Sequence, residues 1–174
     1  MNLKKWKIAS PFILFALCSL THFGYDILPN VITSIFFPVN ESIFEHMKMI
    51  YTSILILSLI EYLIIRHNKI SLNNIGINPF ISGITNIISF LIIYLPIRHL
   101  FGENMIITVM ILFISNIITC YVSYKVLTYK QIVNDRLGLL LTFLVYIPFI
   151  YLTYNPPHTS FFYDTDKELY GIPK

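Results

Sequence analysis

Five apolar stretches, each long enough to cross a bilayer, constrain this chain more than any other feature. They run over Ile8–Leu28, Met47–Ile65, Pro79–Ile97, Met105–Tyr124 and Leu137–Tyr154. A hydrocarbon core takes about 20 helical residues. Lipid offers no partner for backbone N–H and C=O groups, and a helix satisfies its own. Helix is therefore expected in every window, despite an Ile content that would favour strands in water. Composition agrees, because only 12% of the 174 residues are charged. A soluble domain carries about 25%, since it must cover its surface with hydrated groups. The expectation is one all-α integral membrane domain over residues 1–174, a bundle of five transmembrane helices in the cell membrane.

Orientation follows from lysine and arginine placement. With the N-terminus inside, Lys4, Lys5, Lys7, Arg66, Lys69, Lys125, Lys130 and Arg136 face the cytoplasm, against Lys48, Arg98, Lys167 and Lys174 outside. Eight against four favours an N-in, C-out chain whose tail, residues 155–174, lies outside. The lysines ahead of the first window resemble a signal-peptide start. The apolar run outlasts a normal h-region and no small-x-small site follows, so a retained helix is expected. Val31–Pro38 is apolar, too short to span and bracketed by Pro29 and Pro38. It reads as an interfacial or re-entrant segment after the first helix.

Other classes fall away. The net charge is +3 and the basic residues are scattered, so no stripe tracks a phosphate backbone and nucleic acid is not an expected partner. Cys18 and Cys120 lie inside apolar runs and read as small core residues. A bulky Leu17 before Cys18 argues against lipoprotein processing. Glu61 reads as structural, reaching the interface or a neighbour such as Asn86 or Asn116.

Chemistry concentrates on the outer side. Seven of nine acidic residues fall there under this topology, with His22, His46, His99 and His158. Ionisable groups near a membrane core are costly and tend to be paired or functional. His22 and Asp26 are one helical turn apart, which suits a ligand pair, a proton relay or a hydrogen-bonded strut. In Pro38–Lys48, Asn40 is the expected N-cap and the second helix is expected to begin near Glu41. Glu41 and Glu45 then share one face, Ser42 and His46 another. Two prolines, Pro156 and Pro157, end the last helix, and the aromatic tail is expected to return over the outer mouth with His158 and Asp164.

The stretch Pro38-Val39-Asn40-Glu41-Ser42, followed by Glu45-His46-x-Lys48, and the tail Asn155-Pro156-Pro157-His158 with Asp164 and Tyr170-Gly171 resemble a family of small bacterial multi-pass membrane proteins of unknown function. The resemblance spans most of the chain and implies a multi-pass fold. It brings no activity. Ser42-x-x-x-His46 is also similar to part of the signature of intramembrane metal-dependent hydrolases of the ceramidase and progestin-receptor type, which hold zinc with three His. This chain has fewer spans than those proteins and lacks their His-x-x-x-His pair.

The candidate site residues are thus His22, Asp26, Glu41, Glu45, His46 and His158. The metal-ligand set within them is His22, His46, His158 and Asp26, with a divalent metal such as zinc as cofactor. Inward-facing His46 favours a three-His zinc site, whereas inward-facing Glu41 and Glu45 favour a harder cation or a proton path. Three functions compete: a metal-binding protein or lipid-directed hydrolase with an outward-facing site, a small cation or proton transporter, and an accessory protein without catalysis.

Overall fold

The computed structural model describes residues 3–173, and these are mainly helical. The helices are α1 (Leu3–His22), α2 (Gly24–Ile27), α3 (Val31–Phe36), α4 (Ile43–His67), α5 (Asn78–Phe101), α6 (Met105–Thr128), α7 (Asp135–Leu144) and α8 (Tyr146–Tyr154). A two-stranded antiparallel ribbon, β1 (Tyr163–Asp164) and β2 (Leu169–Tyr170), completes the tail. Four helical segments are long and apolar enough to cross a membrane: Ile43–His67, Asn78–Phe101, Met105–Thr128 and Asp135–Tyr154. The sequence windows anticipated each of them to within a few residues.

The four longest uninterrupted helices close a ring. α1 packs on α4 and α6, and α5 packs on the same two helices. Leu14, Cys18, Met49, Ile50, Ile54, Leu57, Phe90, Ile111 and Cys120 fill its centre, so both cysteines are core residues. α7 lies against α5, and α8 against α3. A second cluster, Phe44, Met47, Tyr51, Tyr146 and Phe149, ties α4 to α8. Close approach at the α4–α5 seam depends on Gly83, where a Cβ would lie 2.3 Å from the Tyr51 ring. Small residues at such seams let helices approach where lipid supplies no hydrophobic drive.

Capping residues set several boundaries. Asn104 accepts from Ile107 N at 3.1 Å, and Asn134 from Arg136 N at 2.8 Å. Asn30 and Thr33 form a reciprocal capping box that makes Val31–Phe36 a short helix. Its Val31 and Ile32 are exposed, as expected of a piece that does not span.

Two expected helices are interrupted. The first apolar window continues to Leu28, yet α1 stops at His22 and the chain turns at Phe23. There Gly24 sits so close to Phe37 that a Cβ would lie 2.5 Å from its ring. The last window is broken at Val145 between α7 and α8. Pro148 explains this break, because it has no N–H to give the Leu144 carbonyl four residues back.

Candidate metal centre

His22 is the last residue of α1, and His46 lies in the first turns of α4. Contact between these two helices brings the imidazoles together, with Nε2 to Nε2 at 3.2 Å. Glu41 precedes α4 and places one carboxylate oxygen 3.3 Å from His22 Nε2 and 3.4 Å from His46 Nε2. Among the described residues, this is the one cluster of three or more metal-type side chains with all ligand atoms within 4.8 Å of one another. All three residues are half-buried, so the cluster is built into the fold yet reachable.

Each corner of this triangle has a physical cause. Glu41 is not helical, and its backbone N–H donates to Asp164 Oδ2 at 3.0 Å. Asp164 is fully buried in the tail ribbon, and its other oxygen accepts from Asp166 N at 2.8 Å and Lys167 N at 3.0 Å. Asn40 donates to Gly171 O at 2.7 Å and accepts from Ser42 N at 2.9 Å. Phe44 N donates to Phe161 O at 3.1 Å. The tail therefore closes over the entry to α4, as its aromatic residues suggested. The helix itself begins at Ile43 with Ser42 as N-cap, two residues later than expected from an Asn40 cap. Asn40 is unavailable for that role because its side chain joins the tail to the loop.

The hydrogen-bond pattern defines what the imidazoles present. His46 Nδ1 lies 2.9 Å from the Ser42 carbonyl, which can only accept. That nitrogen therefore carries the proton, and in the neutral ring Nε2 offers its lone pair to the triangle. His22 Nδ1 is buried without a hydrogen-bond partner among the described residues. Among the described residues, the polar contacts of His22 are on its Nε2 side, toward Glu41 and His46. When the rings are protonated, hydrogen bonds from His22 and then His46 hold the Glu41 carboxyl well below the usual carboxylate range, so it is ionised in that state.

The remaining sequence candidates lie elsewhere. Asp26 is exposed on α2, beyond the turn at Phe23, and does not share a helix with His22. His158 is exposed in the tail and stacks on Tyr170, with ring centroids 4.5 Å apart and an 8° interplanar angle. Neither belongs to the triangle. Glu45 is buried and turned away from it. Lys48 Nζ lies 2.5 Å from its carboxylate, Thr153 Oγ1 donates to it at 2.7 Å and Val39 N at 3.1 Å. Lys48 also donates to Ser34 O at 2.8 Å. This network joins α3, α4 and α8. The Glu45/Lys48 spacing of three residues was its signal in the sequence, though not of its burial.

Glu61 anchors a third polar group. It pairs with Lys7 at 2.6 Å and accepts from Trp6 Nε1 at 2.9 Å, while Lys7 also donates to Ser123 Oγ at 2.5 Å. The expected partners Asn86 and Asn116 instead bond each other at 2.8 Å.

The architecture and site define a class: an all-helical protein with membrane-length apolar helices and a His/Glu/His cluster where two of its helices meet. The chain matches the profile of a family of unknown function (DUF6512) over residues 1–172, and it belongs to that family. Neither curated proteins nor solved structures gave a match.

Proposed function

We propose that this is a single-domain, multi-pass cell-membrane metalloprotein in which His22, Glu41 and His46 hold a zinc-type divalent ion. The observation that carries this reading is the triangle of ligand atoms, with edges of 3.2, 3.3 and 3.4 Å. A tetrahedral ion with ligands at about 2.0–2.1 Å separates them by about 3.3–3.4 Å. Direct charge-assisted N–H to carboxylate bonds are shorter, about 2.7–2.9 Å. Two imidazoles with one carboxylate suit zinc better than calcium or magnesium, which take oxygen ligands. The Ser42 carbonyl behind His46 supplies the outer hydrogen bond that fixes a ligating ring.

Three protein ligands leave a fourth position for water, which a bound zinc brings near neutral ionisation. In this reading α1 is a fifth crossing, the chain is N-in and C-out, and the site faces outward. Phe23, Ile27, Leu28, Val31 and Ile32 expose apolar side chains on the segment leaving His22. Such a lip at the membrane surface suits an amphiphile, and we assign a lipid ester or amide as the substrate class. His22, Glu41 and His46 would hold the ion, and the ion would supply an activated water for hydrolysis of the ester or amide bond. An apolar layer of Leu14, Ile50, Ile54, Leu57 and Phe90 separates this site from the Lys7–Glu61 pair, which favours a surface site over a transport path.

The test is metal content. Protein purified in detergent and loaded with zinc should retain one equivalent, and His22→Ala, His46→Ala and Glu41→Gln should each lose it while His158→Ala keeps it. Retention by all three ligand variants, or no retention by the parent protein, ends the metal reading.

A further inference from the structure

A groove of about 430 Å³ runs between α1 and α6, on the opposite end of α1 from His22. Ile8, Pro11, Phe12, Phe113, Ile117 and Tyr121 form its nearly wholly apolar walls. Rings at one end close it, with Phe12 and Phe113 centroids 5.2 Å apart and Phe15 and Phe113 5.8 Å apart. The other end is polar and basic. Lys4 and Tyr124 line it, and Lys125 Nζ stands 5.5 Å above the Tyr121 ring. Lys5, beside Lys4, is also exposed.

No acidic side chain lines the groove. The nearby carboxylate of Glu61 is buried and holds Lys7 and Trp6. A long apolar slot ending in two tyrosines and a group of lysines matches one kind of occupant. An acyl chain fills the slot, and a negatively charged headgroup meets the lysines and phenol hydroxyls.

We propose that this groove binds one phospholipid with an anionic headgroup, drawn from the leaflet that meets the N-terminus. The occupant is a chain-bearing lipid and not a free phosphate, because the volume lies along apolar walls and only its mouth is charged. Binding here is independent of the metal centre. It places a lipid across the α1–α6 seam, where Lys7 and Ser123 also join the two helices.

The experiment uses full-length protein in nanodiscs of phosphatidylcholine, alone or with phosphatidylglycerol admixed, followed by native mass spectrometry. One phosphatidylglycerol should stay bound per chain in preference to phosphatidylcholine. Lys4→Gln with Lys125→Gln should weaken that preference by about fivefold per lysine. Ile117→Trp, which fills the slot from an exposed position, should abolish the adduct while zinc content reports an intact fold. Should zinc binding prove absent from the parent protein, monodispersity on size exclusion reports the fold instead. Equal retention of both lipids, or an adduct that survives Ile117→Trp, overturns the proposal.

Discussion

The two ends of α1 show how differently one apolar helix can use ionisable groups. At its start, Lys7 meets Glu61, and Trp6, Ser123 and Asn78 complete the network, with Ser123 donating to Asn78 at 2.9 Å. Opposite charges are matched and buried. At its end, His22 meets His46 and Glu41, two bases and a carboxylate whose acceptor atoms converge. Protons or a cation must stand among them. The first arrangement is a clamp that is complete in itself. The second is complete only with something bound. The difference lies in partners and access, because both sets of residues are ionisable groups near apolar helices.

Mutations should separate the two ends, and the largest effect is expected at the clamp. Removing one partner of a buried pair leaves an uncompensated charge and costs about 3–5 kcal/mol. Glu61→Gln should therefore lower the yield of monodisperse protein and its melting temperature sharply. Lys7→Met combined with Glu61→Leu should recover much of that loss, whereas a double variant no better than Glu61→Gln would mean the pair itself is not the clamp.

At the other end the order of effects reverses, with function lost before stability. His46→Ala should remove zinc while the helical circular dichroism signal persists. A collapse of helicity in that variant would show that the imidazole is a packing element and would blur the contrast between the ends.

Acid should act on the same end. Ligands bind metal only when deprotonated, and an ordinary imidazole titrates near about pH 6.5. Zinc affinity should therefore fall as pH is lowered and level off at higher pH, where the imidazoles are neutral. Titration calorimetry across this range checks the slope, and a flat profile would point to a carboxylate-only site.

Asp164→Asn tests the tail as a positioning device. It weakens the acceptor that pins the Glu41 backbone, and outer partners of this kind are worth about 10–100-fold in metal affinity. Zinc binding should drop within that range while His22 and His46 remain in place, which cobalt-substituted spectra would report as an altered but surviving site. His158→Ala sets the lower bound. Its ring stacks on Tyr170 at the surface, so stability should move by no more than about 0.5 kcal/mol and zinc binding should not change.

Much of the fold was legible because membrane crossing is a local demand. An uninterrupted apolar run of sufficient length is enough to announce a helix, and each of the four membrane-length segments coincides with such a run. Local reading failed where a single residue acts over a short distance in three dimensions. Pro148 broke the last helix by withholding one N–H, a signal present in the sequence but outweighed there by hydropathy. Gly24 marked the end of α1 only through its fit to Phe37, which no window of the sequence contains.

The sequence by itself determined that His22 and His46 belong to one end of the bundle. Each sits at a fixed distance along an apolar helix, and helix length sets its level. It did not determine which carboxylate joins them. Glu41 and Glu45 are one turn apart on paper and look interchangeable. Tertiary structure decided between them, because Thr153 of α8 and the backbone of Val39 enclose Glu45 with Lys48, while Asp164 from the far tail pins Glu41 outside the helix. Periodicity is a property of neighbours along the chain. The pairing of buried charges depends on segments more than 100 residues apart, and only their packing selects the carboxylate left facing the imidazoles.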